Sequence, residues 1–532
     1  MSSLAVLHVA LLSSFHLPAP ASAAKPQLPR MLPPRRLAVM SAGESAAETA
    51  ALQAGRRVAM SAALSSFLQG YSTGVIGGVL LFLSPEFGLD NRPLVQGLIV
   101  SATTIGSVIG TCWAPRLSDR RGRRATLRLS SALFVAAGAG LCWAPNPELL
   151  LAARFLVGLA IGNGGATVPI YIAECARSES RGALATLPQL FVSAGILTAY
   201  LVSLMGSTIL SPLGLGWRLM TGFTLLPALV QAFCVWKLPE SPRWLLTKGR
   251  ADAARRALLT LRGARAGAPL AETAAVEAAV DVEFTALERS LEPKRRGGSR
   301  VAGTGWAALL EPKIFHLLVI CTSLQALQQL SGINAIIYYT PQILREVGAP
   351  MLFSRLGCSD EAASLLATTI SYLPKLPTMF LTMRLMDRLG RRELLRIFVP
   401  LLALCHLALG ASFAMSASAS LLPRLLGVLS VMLYGIFFSL GLGPIPNILT
   451  AELFPPRARS AAMACSLGTQ FVFNTLVSLL FPVLRERLGS QTVFFGFSAI
   501  CALATLFVTA FVPETKGVSL EELAAEADRN DG

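Results

Sequence analysis

Polar and apolar positions along the chain separate into long blocks. Apolar runs of about 20 residues, the length at which an α-helix crosses a bilayer, fall near 58–83, 93–115, 125–143, 149–172, 183–205 and 217–237. Six more fall near 313–339, 361–385, 394–415, 424–449, 461–484 and 491–512. The pattern predicts twelve spanning helices in two sets of six, parted by a polar stretch over 238–312. Pro and Gly inside many runs argue against soluble helices and are tolerated in membranes. Within the polar stretch, "GRADAARRALLTLRG" places Ala254, Ala257, Leu258 and Leu261 at helical spacing, which predicts an amphipathic helix. The following "EPKRRGGSRVAGTG" reads as a flexible basic connection. Leu4 to Leu12 is too short to span.

Composition sharpens the class. Of 532 residues, 53% are hydrophobic and 14% charged, a balance too apolar for one soluble domain. The net charge of +16 invites a nucleic-acid reading, but the basic residues cluster in alternate loops. Arg116, Arg120, Arg121, Arg123 and Arg124 follow the second run, and Arg384, Arg388, Arg391, Arg392 and Arg396 follow the eighth. By the positive-inside rule these loops, the 238–312 stretch and both termini are cytoplasmic. The charge is therefore topological, the partner is the lipid bilayer, and nucleic acid is not expected. Arg485 and Arg487, on the outer side, do not fit the pattern. The nine Cys sit mostly inside apolar runs with no metal-like spacing. Residues 1–56 form an Ala-, Ser-, Pro- and Arg-rich extension with no acid before Glu44, open to reading as a transit peptide or as a cytoplasmic tail.

Three short patterns occur twice in the same order. "DRRGRR" at Asp119–Arg124 returns as "DRLGRR" at Asp387–Arg392, and "AECARSESR" at Ala173–Arg181 returns as "AELFPPRAR" at Ala451–Arg459. "PES" at Pro239–Ser241 returns as "PET" at Pro513–Thr515. The chain is a duplicated six-span unit: an N-terminal bundle over 57–237, a cytoplasmic helical domain over 238–312, a C-terminal bundle over 313–512 and a tail over 513–532. Such a layout places a substrate site near mid-membrane between the halves.

Over 57–525 the chain resembles the sugar porters of the major facilitator superfamily, through "RLSDRRGRR", "PESPRWL", "QQLSGINAIIYY", "GPIPNILTAELFPPRAR" and "VPETKG". "FLQG", "TLPQL", "YYTPQIL" and "MRLMDRLGRR" are most similar to plant tonoplast monosaccharide transporters, which carry a much longer central loop. The resemblance implies an all-α membrane protein of twelve helices in two bundles that moves a monosaccharide, a hexose, by alternating access.

Amides suit such a substrate, because each offers donors and an acceptor to a sugar hydroxyl. Gln328, Gln329 and Asn334 fall within seven residues of an apolar run, which is costly unless they line a polar cavity, and Gly332 between them permits unwinding. The resemblance implies that Gln189, Gln328, Gln329, Asn334 and Asn474 hold the sugar and that Tyr338 and Tyr339 form an outer gate. Phe471 stands where relatives carry an aromatic against the sugar, and Asn447 replaces a Trp of many animal facilitators.

Asp119, Arg123, Arg124, Glu174, Arg181, Glu240 and Arg243, with Asp387, Arg391, Arg392, Glu452 and Arg459, lie at cytoplasmic helix ends. Carboxylate–guanidinium pairs there are expected to join the bundles in the outward-open state and to break on opening inward. The 238–312 domain is expected to latch the bundles.

Inside the spans one expected charge is missing and one unexpected charge is present. Proton-coupled sugar porters carry Gly-Tyr-Asp in the first span, and the matching carboxylate here is Ser72, which does not titrate near neutrality. Lys375 stands twelve residues before Asp387, about 18 Å above the cytoplasmic end. Facing the pathway, two roles are open to it, donor to a sugar hydroxyl or selector for an anionic substrate such as a sugar acid; the alternative is that it snorkels toward an interface. His316 and His406 are the remaining titratable candidates. The expectation is facilitated diffusion, with a proton-coupled symporter or antiporter and a non-transporting sugar sensor as alternatives. Protons are thus a conditional partner. No enzyme constellation, metal site or cofactor is expected.

Overall fold

The computed structural model describes residues 34–177, 180–210, 216–264, 270–295, 306–416 and 420–515. Most of the N-terminal extension and of the tail, including residues 1–33 and 516–532, lies outside the described residues. Among the described residues, eleven helices are long and apolar enough to cross a membrane. Spans 1 to 6 are Ala51–Glu86, Pro93–Arg121, Arg123–Trp143, Pro147–Cys175, Gly182–Thr208 and Gly216–Lys237. Span 7 is Pro312–Glu346, and spans 9 to 12 are Arg391–Ala414, Leu422–Leu453, Ala461–Leu488 and Ser490–Phe511. Span 8 is the exception. It is built from Asp360–Tyr372 and Lys375–Leu389, interrupted at Leu373 and Pro374. Pro374 withholds an N–H from the ladder and Lys375 lowers the local hydropathy, so one crossing is made from two helical pieces.

Sequence sets the ends of these helices. Span 4 starts with the Asn146 side chain accepting from the Leu149 N–H and with Pro147 at the first helical position. Span 8 starts the same way, with Ser359 accepting from the Ala362 N–H. Span 7 is two helices, Pro312–Leu330 and Ile333–Glu346, joined at Gly332 with φ +87°. The left-handed backbone there needs glycine, and the Phe497 ring fills the space a side chain would take.

The polar stretch folds into helices Pro242–Thr247, Ala251–Leu261 and Leu270–Arg295. Ala254, Ala257, Leu258 and Leu261 are all buried, as their spacing predicts. The basic connection is shorter than expected, because its first residues, through Arg295, continue a helix; residues 296–305 lie outside the described residues. Arg262 ties this domain to the N-terminal bundle: Nε donates to Glu283 Oε2 at 2.7 Å and Nη1 to the Cys175 carbonyl at the inner end of span 4, at 3.2 Å.

The two bundles meet in the outer half of the membrane. A Cβ built at Gly77 of span 1 would lie 2.7 Å from the Tyr338 carbonyl of span 7, so glycine is what lets these backbones approach. The Tyr200 hydroxyl of span 5 donates to the Ile337 carbonyl at 2.8 Å, and its ring packs edge-on against Tyr372 of span 8 at 5.4 Å. Thr475 of span 11 donates to Thr104 of span 2 at 2.9 Å. On the outer surface Arg485 lies 4.0 Å from Glu346, so the basic residue that departs from the positive-inside pattern is part of an ion pair.

Candidate functional site

The break in span 7 organises a chain of amides. Gln328 Nε2 donates to the Leu442 and Gly443 carbonyls, both at 2.7 Å, at the point where span 10 is itself interrupted. Gln328 Oε1 accepts from Gln329 Nε2 at 2.7 Å and from Gln325 Nε2 at 3.1 Å. Gln329 Oε1 accepts from Asn334 Nδ2 at 2.5 Å across the break. Gln328 and Asn334 share no helical face, because Gly332 turns the chain between them; hydrogen bonds link them through Gln329. Gln325 was not expected here, although its spacing of three from Gln328 was available as a signal.

Behind the break, Tyr434 donates to the Ser331 carbonyl at 3.0 Å and His406 Nε2 meets the same carbonyl at 2.7 Å. A buried His held in this way, among the rings of Tyr434, Phe494 and Phe497, supports the hinge backbone.

The other expected ligands are placed less tightly. Asn474 lies close enough to the Tyr338 hydroxyl to interact with it and accepts from Ser478 Oγ at 3.0 Å. Tyr339 is fully buried and donates to the Ser478 carbonyl at 3.1 Å. Tyr339 therefore binds span 11 in the closed outer half, with Tyr338 beside Asn474. Phe471 is half-buried, and the Asn447 side-chain oxygen is buried without a hydrogen bond. Gln189 is exposed near the inner end of span 5 and makes no hydrogen bond to the amide chain among the described residues. Ser72 is buried in span 1; Gly70 and Gly74, whose Cβ positions are blocked by the Val192 and Ile196 carbonyls of span 5, lie about 160° away from it round the helix.

Lys375 begins the second piece of span 8. Its ammonium stands 5.1 Å from the Tyr372 ring centroid and 5.9 Å from that of Phe438. A second intramembrane cation escaped sequence reasoning. Arg154, 2% exposed, donates to the Ile99 carbonyl at 2.6 Å and approaches Val100 at 3.4 Å, within electrostatic range of Tyr338 and Tyr339. The signal was a lone Arg in "LLLAARFLVGLAIG".

At the inner ends, the duplicated motifs form duplicated sites. Arg123 grips Glu174 through two bonds of 3.0 and 3.1 Å and also meets Asp119 at 3.2 Å. Glu240 accepts from the backbone N–H groups of Arg123 at 2.9 Å and Arg124 at 3.2 Å, which caps span 3 with a carboxylate. Burial pushes the Glu240 carboxyl above the usual carboxylate range, opposed by the N–H groups of Ser241, Arg124 and Arg123. In the second half Arg391 meets Glu452 at 2.8 Å, and Glu514 accepts from the Arg391 and Arg392 N–H groups, both at 3.0 Å. Glu514 thus repeats Glu240, as the second "PET" implied without being singled out. The Arg124 and Arg392 guanidiniums donate to the Trp236 and Thr509 carbonyls. Arg459 donates to the Phe454 carbonyl at 3.1 Å.

The expected pairs across the bundles are not what this conformation contains. Among the described residues, the ion pairs of these motif groups stay within one bundle. The Arg181 and Asp387 side chains lie outside the described residues. Arg243 is exposed and makes no ion pair among the described residues, so its expected place in the network is not seen in this state.

Two duplicated bundles closed together on the outer side, and a polar break facing the seam between them, define a membrane carrier of the alternating-access class. The chain belongs to the Sugar (and other) transporter family, whose model matches residues 58–527. It is 35% identical over 451 residues to plastidic glucose transporter 4 of Arabidopsis thaliana, covering 85% of this chain and 76% of that one. It is 31% identical over 474 residues to the glucose transporter GlcP of Staphylococcus epidermidis, covering 86% and 94%. In structure it matches the inward-open xylose transporter XylE of E. coli with a TM-score of 0.71 at 26% identity, over 88% of this chain and 99% of that one. The chain is a multi-pass membrane protein and not an enzyme.

Proposed function

We propose that the chain moves a monosaccharide, a hexose, across a membrane by facilitated diffusion, alternating between outward- and inward-facing states. The observation that carries this reading is the amide chain Gln325–Gln328–Gln329–Asn334 at the span 7 break: neutral groups that bind hydroxyls and release them. The relatives described as glucose transporters support the substrate class. In the inward-facing state, Gln189 opens to the cytoplasm, Asn474 stands beside the gate residue Tyr338, and Phe471 and Asn447 contribute pocket walls. The Arg123–Glu174 and Arg391–Glu452 sites hold the inner helix ends rigid within each bundle as the bundles rock.

A second reading, proton-coupled transport, is favoured by the likeness to XylE, described in one structure as a proton:xylose symporter. Ser72 argues against it, because the position in the first span where proton-coupled porters carry a carboxylate holds a hydroxyl here. Uptake of labelled glucose into proteoliposomes, with and without an inward pH gradient, separates the two. Equilibration without accumulation is expected. Uphill accumulation driven by the gradient refutes the facilitator reading.

A further inference from the structure

Lys375 and Tyr372 lie on the two sides of the break in span 8 and face one cavity between spans 5, 7, 8 and 10. Among the described residues the Lys375 ammonium makes no hydrogen bond or ion pair and meets only the two ring faces. The Tyr372 hydroxyl is buried without a hydrogen bond, although Ser193 of span 5 lies close enough to interact with it.

The other hydroxyls of the wall do not repair this. Thr368 and Ser371 each donate to the carbonyl four residues back, at 2.8 Å, and Tyr200 donates to Ile337. Their protons are committed, and none brings negative charge. No Asp or Glu lines the cavity. Arg154, the other cation deep in the outer half, likewise bonds neutral carbonyls. Aromatic faces attract an ammonium but do not cancel its charge. A half-buried ammonium beside a buried, unsatisfied hydroxyl favours an acceptor at the cavity mouth, and a neutral sugar hydroxyl leaves the charge uncompensated. A carboxylate accepts from both donors and neutralises the lysine. The cavity also adjoins the sugar site, since Ile333 and Ile336 in its wall share a helical turn with Asn334.

We propose that this cavity is a carboxylate subsite and that the preferred substrate is an anionic monosaccharide, a hexuronate, with its carboxylate between Lys375 Nζ and the Tyr372 hydroxyl. The inference rests on the reading of the chain as a monosaccharide carrier. It chooses the second of the two roles the sequence leaves to Lys375, on the ground that Lys375 and Tyr372, neither with a hydrogen bond to an acceptor among the described residues, line the same space and no acid does.

Counterflow of labelled glucuronate and labelled glucose by the full-length protein in proteoliposomes tests it. Wild type is expected to exchange glucuronate with a kcat/KM at least about tenfold that of glucose, the scale of one hydrogen bond to a charged group. Glucuronate is expected to inhibit glucose uptake. Lys375→Asn is expected to shift the glucuronate-to-glucose ratio about tenfold or more toward glucose, and Tyr372→Phe to shift it several-fold the same way through KM. The inhibition experiment needs no variant, so a poorly folding mutant does not shelter the idea. Wild type that exchanges glucose and ignores glucuronate overturns the subsite and leaves the carrier reading standing. Exchange of neither sugar overturns both. Glucose accumulation driven by a proton gradient, lost in Lys375→Asn and unaffected by glucuronate, overturns the subsite in favour of a proton-carrying lysine.

Discussion

Gly122 and Gly390 open spans 3 and 9 in equivalent backbone conformations, with φ +99° and ψ 164° at one and φ +91° and ψ 170° at the other. Gly489, before span 12, has φ +78° and ψ 150° and nothing within 4 Å of its Cβ position. All three conformations belong to a region that is nearly glycine-only, where a side chain costs about 1–3 kcal/mol. Gly489→Ala incurs that strain and nothing else. A Cβ at Gly122 would also overlap Glu240 Oε2, and one at Gly390 would stand 2.6 Å from Glu514 Oε2. Displacing the carboxylate loses at least one charge-assisted bond to the helix N-terminus, about 1.5–3 kcal/mol. The expected order is therefore Gly122→Ala and Gly390→Ala below Gly489→Ala, by about that difference, in thermal unfolding of the purified protein in detergent. Equal loss at all three positions refutes the argument, because it would mean that backbone strain alone selects glycine and that the Glu caps contribute nothing.

Two further tests address the same inner sites. Arg123→Gln or Glu174→Gln is expected to cost about 3 kcal/mol, the lower end for breaking a buried pair, and the double mutant less than the sum; a strictly additive thermal-stability cycle contradicts direct coupling. For Glu240, burial raises the folded-state pKa above the unfolded one, so the native state binds the proton more tightly. Stability of wild type relative to Glu240→Gln should therefore fall as pH rises from the usual value of about 4.3 to the raised one, and stay level above it. A difference curve that rises over this window reverses the sign and rejects the burial argument.

Much of this molecule is written in one dimension. The apolar block length determines twelve crossings, since a helix of fixed rise must match a bilayer of fixed thickness. The repeated "DRRGRR"/"DRLGRR" and "PES"/"PET" patterns determine that the inner sites come in pairs, and the stripe Ala254–Leu261 determines the buried face of a cytoplasmic helix. The candidate amides were legible too, because three of them in an apolar run have a cost that only a polar cavity offsets.

What the sequence left open depends on which surfaces meet, and local pattern does not encode that. Arg123 and Glu174 are 51 positions apart in the chain, and only packing decides that they pair within their bundle instead of across the seam. Gln328 and Asn334 are joined by a broken helix and a relay of amides, not by a shared face, because Gly332 makes the backbone turn. Arg154 was hidden in its apolar run until the Ile99 carbonyl of a neighbouring span was found to receive it. Lys375 was visible as a charge in the wrong solvent. That its cavity contains a second unsatisfied donor and no acid is a tertiary fact, because Tyr372, Tyr200 and span 7 reach that space from different parts of the chain.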